Sequence, residues 1–126
     1  VDTVSETDRI AAADAYIDAL ASHDAAAVPF APDCVRVEMG LKTGFSANHL
    51  RRSLNRGLQY RVIAATTDRE FRVDGDRVQA TFTVVTKSRV AGRRVVAYVD
   101  ETFVIPASDG LIHDIRARIR PALRPE

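Results

Sequence analysis

The chain has 126 residues, 46% of them apolar and 28% charged, with a formal net charge of +1. That bounds it to one domain with a core of its own, and excludes a disordered chain or a strongly basic nucleic-acid binder. Its apolar runs fall far short of the roughly 20 residues of a membrane span, and the lone Cys34 excludes an internal disulfide.

Ser5 to Ser22 reads as an amphipathic helix, with Ile10, Ala13, Ile17, Leu20 and Ala21 at helical spacing and Asp8 three residues after a Ser5 cap. Tyr16 shares the buried face of Ala13 and Leu20. His23-Asp24 then starts a short helical turn over Ala25–Val28, which Pro29 and Pro32 end. Asp33 to Met39 alternates as a strand, with Val35, Val37 and Met39 expected on the apolar face and Cys34, Arg36 and Glu38 on the other. Residues 40–44 read as a loop, Ser46 caps a second helix carrying Ala47, Leu50 and Leu54, and Gly57 stops it. From Tyr60 the pattern is strand. It runs over 60–67 and 70–73, then 77–89, 93–105 and 111–120, with turns at Asp74-Gly75-Asp76, Val90-Ala91-Gly92 and Pro106–Gly110.

Helices first and a long antiparallel meander afterwards predict an α+β domain, a curved sheet wrapped on three helices with a cone-shaped pocket between them. The core spans about residues 5–120, with no repeats or linkers. Within it, Asp100 sits in the middle of an apolar strand (Val95, Val96, Tyr98, Val99, Phe103, Val104). A carboxylate there must stay protonated, find a partner or point away from the core. Tyr16, Glu38 and Asp100 facing one apolar cavity would suit proton transfer. Met39, Tyr98, His113, Ile115 and Ala117 are the expected pocket lining.

Alternative roles follow from each residue's surroundings. Tyr16 can serve as a core tyrosine, Asp100 as a structural partner of Tyr16 or Arg36, and Glu38 as an exposed ion pair with Arg36. His113 falls on the face of Ile115 and Ala117, as a core histidine or a second proton shuttle. Arg116, Arg118 and Arg120 alternate as a solvated strand face does. No His or Cys stands at metal-ligand spacing and there is no glycine-rich phosphate loop, so neither metal nor cofactor is expected. Val1 to Glu6 lack the basic and apolar regions of an export signal, so a cytoplasmic location is expected. A homodimer is expected through the closing sheet, with Val99, Glu101 and Phe103 projecting from the face opposite Tyr98, Asp100 and Thr102.

The order of elements, with Tyr16–Asp24, Phe30–Glu38, Thr43–Leu50 and Ile115-Arg116-Ala117-Arg118, resembles the nuclear transport factor 2-like (SnoaL-like) superfamily over about residues 5–120. The nearest functional pattern is that of ketosteroid isomerase, whose members set a tyrosine and a protonated aspartate against a developing oxyanion, with a carboxylate base. The resemblance implies those roles for Tyr16 and Asp100. An ungapped alignment gives the base position to Glu38; a one-residue gap gives it to Met39, and strand alternation favours the gap. The limonene epoxide hydrolase pattern is a poorer match, since Ala117 stands where that family has its last-strand aspartate and Tyr98 where it has its arginine. The resemblance implies a cofactor-independent isomerase, cyclase or dehydratase acting on a small hydrophobic carbonyl compound. The alternatives are a non-catalytic ligand-binding or dimer-forming module and an epoxide hydrolase.

Overall fold

A computed structural model describes residues 3–125. Among them the order is α1 (Glu6–Ser22), β1 (Phe30–Glu38), β2 (Leu41–Gly44), α2 (Ala47–Arg56), α3 (Leu58–Arg61), β3 (Ile63–Asp74), β4 (Arg77–Val90), β5 (Arg93–Val104) and β6 (Ile112–Arg124). Ser5 caps α1 by accepting the Asp8 N–H at 3.1 Å, and Ser46 caps α2 through the His49 N–H at 3.1 Å, as the sequence predicts. The third helix lies elsewhere than expected. Asp24 does cap the Ala26 N–H, but only a turn follows, because Pro29 leaves too few residues to close a helical ladder. The third helix is instead α3, which takes Tyr60 out of the expected strand.

Met39 and Gly40 both have positive φ, the requirement of a tight two-residue hairpin turn, so the expected loop becomes the short edge strand β2. Gly44 is needed there: a Cβ would collide with Leu50 and crowd Arg36. The two expected strands at 60–67 and 70–73 are one strand, β3, with a bulge at Asp68, whose φ is 58°.

The curved sheet has the order β2-β1-β6-β5-β4-β3. Its pairs are antiparallel except β1 with β6, which run parallel. The helices pack on one face, α1 against β3 and β4 and α2 against β1. Two arginines fasten α1: Arg9 donates to the Ile105 and Gly75 carbonyls at 2.6 Å each, and Arg69 of β3 reaches Asp14 at 2.6 Å and Asp18 at 2.7 Å.

Strand register sorts the helix-facing side chains into rows. The floor row is Arg36, Ile115, Phe103 and Val78; the next is Glu38, Ala117, Glu101 and Ala80. Above them lie Ile119, Val99 and Phe82, and then Ala97 and Val84. The opposite face carries Asp100 between Thr81 and Arg118, and Tyr98 between Thr83 and Arg120.

Two expectations about facing are therefore corrected. In β5 the buried set is Val99, Glu101 and Phe103, and Tyr98, Asp100 and Thr102 face out. One residue of parity exchanges every side chain on a strand, and burying Val99 with Phe103 removes more apolar surface than burying Tyr98 with Thr102. The residues expected to pair two copies are thus inside the molecule. In β1 the inward set is Cys34, Arg36 and Glu38, not Val35, Val37 and Met39.

Candidate active site

Glu38 and Glu101 belong to one row, separated by the strand that carries Ala117. Neighbouring strands lie about 4.8 Å apart, so their Cα atoms are roughly 10 Å apart and both side chains can lean over the small alanine. They share a cavity of about 280 Å³ whose other lining includes Tyr16, Leu20, Tyr60, Phe82, Val99 and Ile119.

Arg36 lies one row below, with no exposed surface. Its Nε donates to Thr43 Oγ1 at 3.0 Å, its Nη2 to the Thr43 carbonyl at 3.0 Å and to Ser53 Oγ at 3.2 Å, and its Nη1 to the Tyr16 hydroxyl at 3.3 Å. The Tyr60 ring covers the guanidinium at 4.8 Å. A buried cation is tolerable only when its donors are met and a counter-charge is near. Glu38 supplies that charge, its Oε1 lying 3.7 Å from Arg36 Nε, a Coulombic contact longer than a hydrogen bond. Burial works against the Arg36 charge, but Tyr16, Tyr60 and Glu38 outweigh it and raise its pKa. The Tyr60 hydroxyl donates to both Glu38 oxygens, at 3.1 and 3.0 Å.

Glu101 is in the opposite condition. It is 3% exposed, and no described side chain hydrogen-bonds its carboxyl. Burial pushes its pKa up to about 8 and the charge of Glu38 adds to that, with Arg36 opposing. That shift favours the protonated form of Glu101, which has an O–H to give. Burial also raises the Tyr16 pKa well above the ordinary range, with Glu101 reinforcing and Arg36 opposing. The Tyr16 hydroxyl accepts from Arg36, which leaves its own hydrogen to donate. One apolar cavity is therefore lined by a carboxylate held by a cation and a phenol, a carboxyl of raised pKa, and a tyrosine donor. That is the equipment of general acid–base chemistry.

The sequence-predicted residues divide as follows. Tyr16, Glu38 and Ala117 line the cavity. Ile115 lies in the floor row beneath it. Asp100 is on the other face of the sheet, accepting from Gln79 Nε2 at 3.0 Å, so the apolar surroundings expected for it belong to Glu101. Tyr98, 38% exposed, is on that outer face with the Arg120 guanidinium 4.9 Å over its ring. Met39 is 62% exposed in the hairpin turn, its sulfur accepting the Ile119 N–H at 3.1 Å. His113 pairs with Asp109 at 2.7 Å on the surface. Sequence reasoning missed Glu101 and Tyr60, and expected the ion pair of Arg36 with Glu38 to be exposed where Arg36 is buried. The available signal for Glu101 was its parity with Val99 and Phe103, and for Arg36 its parity with Glu38. Among the described residues no group of three or more His, Cys, Asp or Glu could hold a metal, and no helix is long and apolar enough to cross a membrane.

Solved structures share this architecture. An LEH-like epoxide hydrolase of M. tuberculosis aligns with a TM-score of 0.69 at 20% identity, over 90% of this chain and 84% of that one. An NTF-2 like protein from Burkholderia xenovorans gives 0.63 at 16% identity, over 96% and 86%. The epoxide hydrolase/cyclase-like enzyme SalBIII, described in pyran ring formation in the polyether salinomycin, gives 0.69 at 15% identity, over 92% and 93%. At these identities the likeness defines the fold, which is nuclear transport factor 2-like. A family model described as Domain of unknown function (DUF8021) matches residues 2–119, and the chain belongs to that family. No curated protein matches the sequence.

Proposed function

We propose that the protein is an acid–base enzyme that isomerises a small apolar carbonyl compound through an enolate. The observation that carries this reading is the pairing of Glu38 and Glu101 across Ala117 at the base of one apolar cavity, the first fixed by Arg36 and Tyr60, the second buried without a described partner. The Glu38 carboxylate takes a proton from the carbon beside the carbonyl. The C–H electron pair becomes the enolate C=C bond and the carbonyl π pair moves to oxygen. Glu101 and Tyr16 donate hydrogen bonds to that oxygen, whose charge is larger in the transition state than in the ketone. Glu38 then returns the proton to another carbon of the conjugated system, and the carbonyl re-forms. Compared with the sequence-based expectation, Glu101 takes the role first assigned to Asp100.

Proton exchange tests this directly. Small cyclic enones and ketones incubated with the protein in D₂O should lose the NMR signal of their α-hydrogens faster than in buffer. Glu38→Gln should lower that rate by about 10²–10⁴-fold, and Asp100→Asn should leave it within about twofold. Equal rates for Glu38→Gln and the unaltered protein would sink the reading.

A second reading draws on a separate observation, Arg36 and Glu38 two apart on one strand with a second carboxyl across from them. In epoxide opening, Glu38 would take a proton from an attacking water while Glu101 gives its own to the epoxide oxygen, so that one C–O bond forms as another breaks. The fold likeness to two epoxide-hydrolase-like enzymes supports trying it. Oxygen-18 from labelled water appearing in a diol would favour this reading. Phenol binding with neither exchange nor opening would leave a ligand-binding module.

A further inference from the structure

The rows of the inner face give the cavity a direction. Below Glu38 and Glu101 it is closed by Arg36, Ile115 and Phe103, with the edge of the Tyr16 ring against Phe103 at 5.4 Å between centroids. The other end lies toward Thr86, Gln59 and Val62, where the Lys87 N–H meets the Val62 carbonyl at 2.8 Å. Val62 is 43% exposed there. Between these ends stand two wholly apolar rows, Val99 with Phe82 and then Ala97 with Val84. Glu101 and Ala97 are four residues apart on β5, a rise of about 13 Å.

The volume limits what can fill that length. About 280 Å³ is below the roughly 300–1,000 Å³ of sites for drug-sized ligands. A site at the lower edge of that range favours a single ring with a short alkyl arm over a fused polycycle.

We infer that the cavity is a one-ended slot for single-ring carbonyl compounds, entered oxygen-first, in which Ala97 and Val84 set the length of the apolar arm. The inference deepens the proposed function and rests on it for which end receives the oxygen. Ala97 is the stronger determinant, because its small half-buried side chain leaves room that a larger residue would fill.

The test uses phenols as stand-ins for the enolate: phenol, the 4-ethyl, 4-butyl and 4-hexyl derivatives, and a fused four-ring phenol, with affinities from NMR titration. Affinity should rise about fourfold per methylene in the short members and level off by the hexyl compound. The four-ring phenol should bind worse than 4-butylphenol. In Ala97→Leu the levelling should come one or two carbons sooner, with phenol itself unchanged. In Val84→Ala it should come later, and that variant carries the test if circular dichroism shows Ala97→Leu unfolded. Tighter binding of the four-ring phenol, or an equal loss for short and long arms in Ala97→Leu, would overturn the slot. Length-dependent binding without proton exchange keeps the slot and removes the enzyme reading, whereas exchange without length dependence does the reverse.

Discussion

The two faces of one sheet treat neighbouring carboxylates in opposite ways. Asp100 and Glu101 are adjacent in β5, yet Asp100 looks outward beside Gln79 and Thr81, with Arg118 opposite on β6. Glu101 looks inward at Val99, Phe103 and the helices. Outside, an acidic side chain is one member of a hydrated row of mixed charge, where pairs are worth little. Inside, burial in an apolar cavity favours the protonated form, the charge of Glu38 adds to that, and the nearby Arg36 is engaged by Glu38. What a carboxylate can do is thus set by the face it occupies more than by the residues beside it in sequence.

The sharpest way to break that comparison is kinetic, and the loss expected for Glu38→Gln against the indifference of Asp100→Asn is its largest effect. Next comes the pH dependence of stability. Glu101 has its folded pKa raised from 4.5 to about 8. The folded state therefore holds that proton more tightly than the unfolded chain. Its favourable contribution is complete below about pH 4.5 and falls as pH rises to about 8, by ~1.4 kcal/mol per unit and about 4–5 kcal/mol in all. Glu101→Gln should flatten this slope. Its stability relative to the unaltered protein should be higher at pH 8.5 than at pH 4.5 in urea melts. Parallel curves would mean that Glu101 is not the neutral acid of the site.

Arg36→Met tests the counter-charge. Removing one partner of a buried pair leaves the other uncompensated, so a loss of about 3–5 kcal/mol is expected at pH 7. That loss should shrink in the double variant Arg36→Met with Glu38→Gln, where no lone charge is buried. An additive double variant would show that Arg36 acts through packing alone. The smallest effect belongs to the outer face: Asp100→Asn should change stability by no more than about 0.5 kcal/mol in the same melts.

Much of the fold was legible locally. The serine caps, the apolar spacing around Tyr16 and the glycine turns at Gly75 and Gly92 are short-range signals that the chain obeys. Tyr16 was legible as a cavity residue for the same reason, whereas Glu38 was reached only through an ungapped alignment that strand alternation opposed. The rest depended on parity. In β1 the more apolar set, Val35 and Val37, was expected inward, but Arg36 and Glu38 take that face because Thr43, Ser53, Tyr16 and Tyr60 satisfy them. Those partners come from β2, α2, α1 and α3, which no window along β1 contains. In β5 the choice between Asp100 and Glu101 was a one-residue question: the resemblance to ketosteroid isomerase pointed to Asp100, whereas parity with Val99 and Phe103 puts Glu101 inside.

Sequence alone is enough to say that helices come first and strands after, where most of them start and stop, and that Tyr16 lies on a buried helix face. Those are properties of spacing, capping and turn chemistry, which act over a few residues. Which carboxyl lies in the cavity, that a buried arginine stands beside Glu38, and how far the cavity extends all follow from the tertiary structure. Each depends on groups brought together from distant strands, where burial and the strand register set the charge.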